Sequence, residues 1–366
     1  MGSLHFKNHY KTPDVQNILA RFKMSRKHPL LLNPIMKTLS IKNKNIAVLY
    51  GGDSSEYAVS VKSATVVIDE LRKTGARVYA IHQQGTEWYC EIAGTRAEVD
   101  KNTFSVNTGN SRVSFDAAII MIHGTPGEDG KIQGFFDVTG VKYSSCGQIA
   151  AALTFDKMAC SSLLKRFGIT MAEACYLNRD DQWDTDVIIQ KTGLPCFVKP
   201  NRAGSSFGIT KVKEASQLNQ AIKHAFTFDN KVIIEQFVEG REMTCGVHDV
   251  GGSATALPIT EIISKNEFFD YNAKYEGASE EITPARISAN VAEIIQAQSR
   301  EIYNILDLRG VARVDYIVKN GVPYFIEVNT VPGMSRQSIV PQQIEASGEQ
   351  LSSFFERWVK RILEKH

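Results

Sequence analysis

The chain is 366 residues long, 43% hydrophobic and 22% charged, which is typical of a folded protein of two or three domains and excludes a disordered one. The formal net charge is +2, and residues 41–366 hold 35 basic and 39 acidic residues, a balance with no general attraction for nucleic acid or acidic lipid. No stretch approaches the ~18 consecutive apolar residues of a membrane helix, and the six scattered cysteines favour reduced thiols. We therefore expect a cytoplasmic protein that binds neither nucleic acid nor membrane.

Residues 1–43 form a basic segment with weak periodicity, and we expect a poorly ordered extension there. A basic, acid-poor start is typical of an organelle-targeting leader. The alternative is that translation begins at Met36, just before the first predicted strand, and the scarcity of serines favours it. Neither explanation bears on the chemistry.

Strands and helices alternate after this segment, which predicts an α/β fold with a parallel sheet. The predicted strands are 45–50, 77–81 and 117–122, and the predicted helix is 59–73. Ligands of such sheets bind at the carboxyl ends of the strands. The polar turns 51–56 and 123–130 are therefore expected to border one crevice.

A different order of elements follows residue 146. We predict a helix at 149–167, strands at 196–200 and 231–237, and a hairpin of 312–318 with 323–329. The polar stretch 264–284 has no period and is expected to be a long loop that acts as a lid. An apolar stripe from Leu351 to Leu363 predicts a terminal helix whose role is packing.

One short loop has the composition of a phosphate-binding site. Lys199 ends an apolar strand, and Gly204, Ser205, Ser206 and Gly208 follow it. Small residues let backbone N–H groups approach a phosphate, hydroxyls add donors and the lysine adds charge. A plain surface turn has the same composition, so both interpretations stay open. Neither G-x-x-x-x-G-K-[ST] nor G-x-G-x-x-G occurs, which argues against P-loop kinases and dinucleotide dehydrogenases.

The predicted hairpin carries polar side chains among apolar neighbours. Because residues two apart on a strand share a face, Arg313 lies beside Asp315 and Glu327 beside Asn329. Carboxylate and amide oxygens suit Mg²⁺. The alternative is an exposed polar face of an edge hairpin.

The connection of the hairpin decides whether these pairs meet. A two-residue turn on Asn320 and Gly321 would place the pairs on opposite faces of the sheet. A three-residue loop that includes Lys319 would bring them to one face, so a metal site predicts the longer loop.

The two amino-terminal turns carry further candidate residues. Glu56 is suited to neutralise a substrate ammonium group and His123 to orient it, although a glutamate in such a turn is more often a helix cap. We expect Asp53, Glu128 and Asp129 to cap helices or brace loops.

These motifs together resemble those of the D-alanine–D-alanine ligases, members of the ATP-grasp superfamily. They follow the family's order from about residue 44 to the end of the chain. The matching segments are Gly51-Gly-x-Ser-x-Glu-x-x-Val-Ser60, His123-Gly-x-x-Gly-Glu-Asp-Gly130, Asp156-Lys157, Lys199-Pro-x-x-x-Gly-Ser-Ser206, Ala273-Lys-Tyr275, Arg313-Val-Asp315 and Glu327-Val-Asn-Thr-Val-Pro-Gly-Met334.

The resemblance implies a three-domain ATP-grasp architecture of the α/β class. The implied domains are a Rossmann-like parallel-sheet domain at 44–146, a central domain at 147–239 and a C-terminal domain at 240–366, with the metal site and the lid 264–284. ATP would phosphorylate the carboxylate of one D-alanine, and the amine of a second D-alanine would then attack the acyl phosphate.

The resemblance also implies roles for individual residues. Those at the nucleotide are Lys157 and Lys199 at its phosphates, Ser206, Phe237 and Val238 in its pocket, Glu235 at the adenine amino group and Glu242 at the ribose. Those at the amino acids are Glu56 and His123 for the first D-alanine, Lys274 and Ser338 for the carboxylate of the second, and Arg313 with the backbone N–H of Gly333 for the oxyanion. Ser205 would link the phosphate loop to Glu56 and Tyr275, a tyrosine that in the family accompanies dipeptide formation. For Phe237, plain core packing is the alternative.

The implied cofactors and partners follow from the same resemblance. Asp315, Glu327 and Asn329 would bind two Mg²⁺ ions, for which Mn²⁺ would substitute. The substrates would be D-alanine and ATP, the protein a homodimer, and the product a precursor of peptidoglycan. The alternatives are a D-alanine–D-lactate or D-alanine–D-serine ligase, and a nucleotide-binding ATP-grasp protein without catalysis.

Overall fold

The structure, a computed structural model, describes residues 39–92, 94–109, 111–204, 207–264 and 279–364. The predicted extension therefore lies almost wholly outside the described residues, and its order stays a prediction. Ile41 is fully buried in the first hydrophobic core, so the chain packs against that core before the first strand begins.

The first sheet has seven described strands in the order β6-β5-β4-β3-β2-β1-β7. They are β1 (Asn45–Gly51), β2 (Arg77–Gln84), β3 (Glu87–Ile92), β4 (Thr95–Asp100), β5 (Ser105–Asn107), β6 (Arg112–Ser114) and β7 (Ala117–Ile120). The strands β7, β1 and β2 run parallel, as predicted. Antiparallel strands β3 to β6, which the sequence pattern did not reveal, extend this sheet.

The end of β1 needs glycine. Gly51 has φ +110°, and a Cβ there would lie 2.2 Å from the carbonyl oxygen of Gln83 on β2. Only a residue without a side chain permits this approach and this backbone conformation. The chain then turns through Gly52 into helix α1 (Tyr57–Arg72), which packs on β1 and β2.

The middle of the chain forms an antiparallel sheet in the order β10-β9-β11-β8. Its strands are β8 (Ala174–Asn178), β9 (Cys196–Pro200), β10 (Thr210–Val212) and β11 (Lys231–Gln236). The helices described between the first sheet and β11 are α2 (Lys131–Thr139), α3 (Gln148–Phe155), α4 (Lys157–Arg166), α5 (Thr185–Thr192) and α6 (Ala215–Ala225).

The prediction of a single helix at 149–167 is wrong, because the helix is interrupted at Asp156. This residue has extended backbone angles, and its side chain accepts the N–H of Ala159 at 3.0 Å. Asp156 is therefore the N-cap of α4. It also accepts two hydrogen bonds from Arg202, which ties the start of α4 to the loop after β9.

The third sheet has the order β15-β14-β12-β16-β17, with β13 beside β12. Its strands are β12 (Arg241–His248), β13 (Thr255–Ala256), β14 (Thr260–Ser264), β15 (Ser279–Ile282), β16 (Val311–Lys319) and β17 (Val322–Asn329). The ends of the predicted lid 264–284 are thus paired strands, and residues 265–278 lie outside the described residues.

The remaining described helices are α7 (Ala289–Ile305), α8 (Ile339–Ala346) and α9 (Leu351–Glu364). The apolar stripe of α9 is buried, which confirms its predicted packing role, and α9 packs against α1 and β7. The end of the chain thus returns to the first sheet. Within the described residues, no helix combines the length and the apolar character needed to cross a membrane.

Candidate active site

A cavity of about 480 Å³ opens between the three sheets. Loops that follow β1, β7, β9 and β17 converge on it. The predicted site residues that line it are Glu56, His123, Lys157, Arg313, Glu327, Asn329, Gly333 and Ser338. Glu56 and Ser338, which are 282 residues apart in sequence, therefore meet in one cleft.

Glu56 is the N-cap residue of α1, but its side chain forms no capping hydrogen bond with this helix. The carboxylate instead faces the loop after β9. A Cβ built on Gly204 would lie 2.5 Å from Glu56 Oε2, and one built on Gly124 would lie 3.4 Å from the same atom. The glycine at 204 thus lets the loop after β9 approach this carboxylate, which favours the ligand interpretation of Glu56 over the cap.

His123 is buried and bridges the first sheet to the loop after β17. Its Nδ1 lies 2.7 Å from the carbonyl oxygen of Val331, and its Nε2 lies 3.1 Å from Ser63 Oγ. Because a carbonyl only accepts, Nδ1 carries the proton and neutral Nε2 accepts from Ser63. Burial lowers the pKa of His123 below its ordinary value, although the nearby Glu56 and the bond to Val331 oppose the shift, so the ring is neutral at pH 7.

Ser63 Oγ also accepts the backbone N–H of Met334 at 3.0 Å. The hydroxyl therefore links His123 to the backbone beside Gly333, where the oxyanion donor is predicted. Ser63 was not among the residues predicted from the sequence. The available signal is that Ser60, Ser63 and Glu70 place polar groups on the buried face of α1.

Glu128 braces two loops, as predicted. Its two carboxylate oxygens accept the N–H groups of Gly124 at 2.8 Å and Val331 at 3.0 Å. Burial, and then the nearby Glu56, raise the pKa of Glu128 to about 7, although both hydrogen bonds oppose the shift. Asp53 and Asp129 also brace loops, by accepting the N–H of Gly85 and the hydroxyl of Thr125, respectively.

The two polar pairs of the hairpin, Arg313 with Asp315 and Glu327 with Asn329, lie on one face, but not because of the predicted three-residue loop. The three-residue loop is wrong, because Lys319 pairs with Val322 across a two-residue turn in which Asn320 and Gly321 both have positive φ. Such a turn is type I′.

A β-bulge restores the common face. The ladder shifts between Asp315 and Tyr316, so that Tyr316 pairs with Phe325 but Asp315 pairs with Glu327. Ile326 is the extra residue of the bulged strand. The polar pairs therefore share one face, and the opposite-face outcome of a plain two-residue hairpin does not occur.

Asp315 accepts hydrogen bonds from three neighbouring side chains. Arg313 donates to both of its oxygens at 2.8 Å, Asn329 Nδ2 donates at 3.0 Å, and the hydroxyl of Thr244 donates to Oδ1. Asp315 lies behind these groups and does not line the cavity. Among the residues that the structure describes, no cluster of three or more His, Cys, Asp or Glu side chains forms a metal site. The hairpin itself offers two carboxylates and one amide oxygen.

Lys157 joins the phosphate loop to the hairpin. Its Nζ donates to the carbonyl oxygen of Ala203 at 3.0 Å and lies 3.3 Å from Glu327 Oε2. The lysine is thus held at the point where an anionic group would meet both segments.

The other predicted nucleotide residues that the structure describes do not line this cavity. Lys199 Nζ donates to Glu235 Oε2 at 2.6 Å, across neighbouring strands β9 and β11. The ring of Phe237 stacks at a tilt on Phe197, at 5.9 Å between centroids, and Lys211 Nζ lies 4.2 Å above it. Val238 follows on the chain, half-buried, and Glu242 is in β12 on the same face as Asp315.

The two predicted groups of the loop after β17 are adjacent. A Cβ on Gly333 would lie 2.8 Å from Ser338 Oγ, and Ser338 also contacts Ser335 Oγ at 2.8 Å. Ser338 is the N-cap residue of α8. The predicted residues Ser205, Ser206, Lys274 and Tyr275 lie outside the described residues, and their roles stay predictions.

The sequence analysis also missed Glu281, which lines the cavity from β15. It lies within the stretch interpreted as a loop, and its strand character was hidden because the polar stretch 264–284 shows no period.

Comparisons with known proteins agree with this geometry. Residues 45–146 match the family model described as D-ala D-ala ligase N-terminus, and residues 163–360 match D-ala D-ala ligase C-terminus. The chain is 46% identical to the D-alanine–D-alanine ligase of Parabacteroides distasonis, over 83% of this chain and 93% of the relative.

Solved structures are similar as well. D-alanyl-alanine synthetase A from Vibrio cholerae superposes with a TM-score of 0.79 at 29% identity, over 88% of this chain and 99% of that chain. The VanG D-Ala:D-Ser ligase from Enterococcus faecalis superposes with a TM-score of 0.77 at 31% identity, over 88% of this chain and all of that one. Because the two family models together cover most of the chain, it belongs to the D-alanine–D-alanine ligase family of ATP-grasp enzymes.

Proposed function

We propose that this chain is an ATP-dependent ligase that joins two D-alanine molecules into D-alanyl-D-alanine for peptidoglycan synthesis, in the cytoplasm. The observation that carries the proposal is one cavity lined by Glu56 from the turn after β1, Lys157 of α4, and Arg313 and Glu327 of the hairpin. An ammonium-binding carboxylate, phosphate-binding cations and oxyanion donors are the groups that such a ligation needs.

Each residue has a defined task in this proposal. Glu56, beside neutral His123, binds the ammonium of the first D-alanine, and Lys157 and Lys199 hold the phosphates of ATP. Arg313 and the backbone N–H of Gly333 stabilise the oxyanion that forms when the second amine attacks, a contribution that is usually large in such reactions. Ser338 holds the second carboxylate, together with the predicted Lys274.

The hairpin fits Mg²⁺. Asp315 and Glu327 face each other on one side of the sheet, and Asn329 adds an amide oxygen. Hard oxygen donors of this kind suit Mg²⁺, and Mn²⁺ is expected to substitute. Two ions held by these residues would neutralise phosphate charge, while Arg313 and Lys157 already balance the two carboxylates from the protein side.

We also propose a homodimer and the three domains 44–146, 147–239 and 240–366. The side chains of Val138 on α2 and Ile149 on α3 are 88% and 83% exposed, and the two helices pack together. Exposed apolar side chains such as these suit contact with a second copy. Sedimentation velocity of wild type and of a Val138→Glu/Ile149→Glu variant tests this, and a monomeric wild type would reject it.

The test of the function is ADP release coupled to product analysis. We expect D-alanine to stimulate ADP formation and to yield D-alanyl-D-alanine. The similarity to the VanG D-Ala:D-Ser ligase makes D-serine the main rival second substrate. If D-serine or D-lactate saturates at lower concentration than D-alanine at neutral pH, the substrate assignment is wrong, and if no amino acid stimulates ADP release, catalysis itself is rejected.

A further inference from the structure

The cavity contains a carboxylate that the proposed reaction leaves without a task. Glu281 is on β15, at the edge of the third sheet, and lines the cavity together with Arg313, Gly333 and Ser338. Its position in the ladder is opposite Ile262. Ile262 is in turn opposite Glu242, so Glu281 points to the same side of the sheet as the hairpin carboxylates.

The neighbours of Glu281 place it between two proposed binding groups. Gln342 Nε2 donates to Glu281 Oε2 at 3.3 Å. Gln342 lies one turn after Ser338, the N-cap residue of α8 that we assign to the carboxylate of the second D-alanine. Arg313 lines the same cavity, and its positive charge acts on this carboxylate.

This environment suits exchange of a proton. Burial raises the pKa of Glu281 above its ordinary value, and Arg313 and Gln342 oppose that shift. The residue directly opposite on β14, Ile262, is apolar, and Glu242 is the next acid along the same row. A partly buried carboxylate of this kind pairs well with an ammonium group and accepts a proton more readily than an exposed one.

The second D-alanine must lose a proton from its nitrogen before it can react. A free D-alanine carries an ammonium group near neutral pH, whereas the attacking nitrogen needs a lone pair. If its carboxylate is bound at Ser338 and its nitrogen points towards the oxyanion donor Arg313, the ammonium group of the second D-alanine lies beside Glu281.

We propose that Glu281 binds the ammonium group of the second D-alanine and accepts one of its protons, and thereby favours an amino acid over a hydroxy acid at this position. The inference rests on the proposed ligase function. It assigns to this chain a substrate-recognition residue outside the motifs that identified the family.

The proposed step is balanced. The ammonium N–H bond breaks, its proton passes to Glu281, and the electron pair stays on nitrogen. That pair forms the C–N bond to the acyl phosphate, and the C–O bond to phosphate breaks with its electrons on the leaving oxygen. The second nitrogen proton goes to the departing phosphate, and Glu281 returns its proton to solvent after release.

The test uses the full chain and the variant Glu281→Gln, which keeps size and removes charge. ADP release against D-alanine concentration gives two Michaelis constants. We expect the constant for the second D-alanine to rise roughly 10–100-fold, as for loss of a charged hydrogen bond, with little change for the first D-alanine or ATP. The loss should shrink at strongly alkaline pH, where the amine of free D-alanine loses its proton in solution. The fraction of D-alanyl-D-lactate formed from mixed D-alanine and D-lactate should also rise.

Glu280→Gln is the matched control, because Glu280 is the adjacent, exposed acid on the opposite face of β15. A Glu281→Gln enzyme with the constants, pH profile and product ratio of this control would overturn the inference, while wild-type dipeptide formation would leave the ligase function intact. Absence of dipeptide from the wild type would reject both.

A second variant covers misfolding. If Glu281→Gln no longer binds ATP, Glu281→Asp carries the test, because it retains the charge at shorter reach. We then expect a raised second Michaelis constant with the wild-type pH profile, and an unchanged constant would contradict the proposal.

Discussion

Asp315 lies directly opposite Glu327, although the turn at Asn320 and Gly321 alone would place Ile326 there. One bulged residue therefore determines that both acids face the same side of the sheet. Their convergence is the basis of the proposed metal site.

Replacement of Glu327 tests this relationship. Glu327→Gln removes one hard anionic ligand and the partner of Lys157, so we expect binding of Mg²⁺–ATP to weaken about tenfold or more. Isothermal titration with and without Mg²⁺ measures the effect, and nucleotide binding without metal should change less. Unchanged Mg²⁺–ATP affinity would remove Glu327 from the metal site.

Arg313 has two roles that a lysine cannot combine. Its fork holds both oxygens of Asp315, and it is the proposed oxyanion donor. We expect Arg313→Ala to lower kcat by ~10²–10³-fold with little change in ATP affinity. Arg313→Lys should recover little of this, because an ammonium group cannot reproduce the bidentate contact. Full turnover in either variant would contradict the assignment.

Gly204 tests the approach of the phosphate loop to Glu56. A Cβ at this position meets Glu56 Oε2 at 2.5 Å, and overpacking of this kind typically costs ~1–3 kcal/mol. We expect Gly204→Ala to raise the Michaelis constant of the first D-alanine roughly tenfold. Gly251→Ala is the control, since a Cβ there meets no described atom within 4 Å. Equal constants in both variants would show that Glu56 is not positioned by this loop.

Replacement of Ser63 tests the link between the first sheet and the loop after β17, which contains Gly333. Ser63→Ala leaves the buried N–H of Met334 and Nε2 of His123 without this partner, so the free energy of unfolding should fall by about 1–3 kcal/mol. We expect kcat to fall as well, because the backbone beside Gly333 loses its anchor. Urea unfolding and steady-state kinetics measure both, with Thr65→Ala on the exposed face of α1 as the control. If the two variants have the same free energy of unfolding and the same kcat, the contacts of Ser63 contribute neither to stability nor to turnover.

The protonation of His123 predicts how stability depends on pH. Its pKa is lowered in the folded state from about 6.5, so the unfolded chain binds more protons at acidic pH. The free energy of unfolding contributed by this residue is therefore present above pH 6.5 and is lost as pH falls below it. Glu128, with a pKa raised to about 7, acts in the opposite direction between about pH 4.5 and 7.

Urea unfolding of wild type and His123→Gln between pH 4.5 and 7.5 separates these effects. The other buried histidines are common to both proteins, so the difference between the curves isolates His123. We expect the wild type to lose more stability on acidification than the variant does. Parallel curves would show that His123 is not held neutral by its surroundings.

The sequence predicted the α/β class, the parallel strands, the hairpin and the terminal helix, because each depends on a local apolar pattern. It also predicted that Glu56 and His123 share a cleft, since turns at strand ends converge, while the resemblance to the ligases placed Arg313 and Glu327 in the same site. The bulge at Ile326 could not be predicted, because a register shift is a property of two paired strands and not of either alone.

Other misses have similar causes. The break at Asp156 was hidden because apolar residues continue at helical spacing on both sides of the cap. Ser63 contacts Met334, which is 271 positions away, and Glu281 contacts Gln342, which is 61 positions away. A local sequence pattern cannot predict contacts between such distant residues.

The fate of a carboxylate oxygen tests the central claim most directly. The full chain is incubated with ATP, Mg²⁺ and D-alanine labelled with ¹⁸O in its carboxylate, and the phosphate released is analysed by mass spectrometry. If an acyl phosphate forms in this cavity, one labelled oxygen passes from D-alanine to inorganic phosphate for each dipeptide made. Dipeptide formation with unlabelled phosphate, or ATP hydrolysis without dipeptide, would contradict the account.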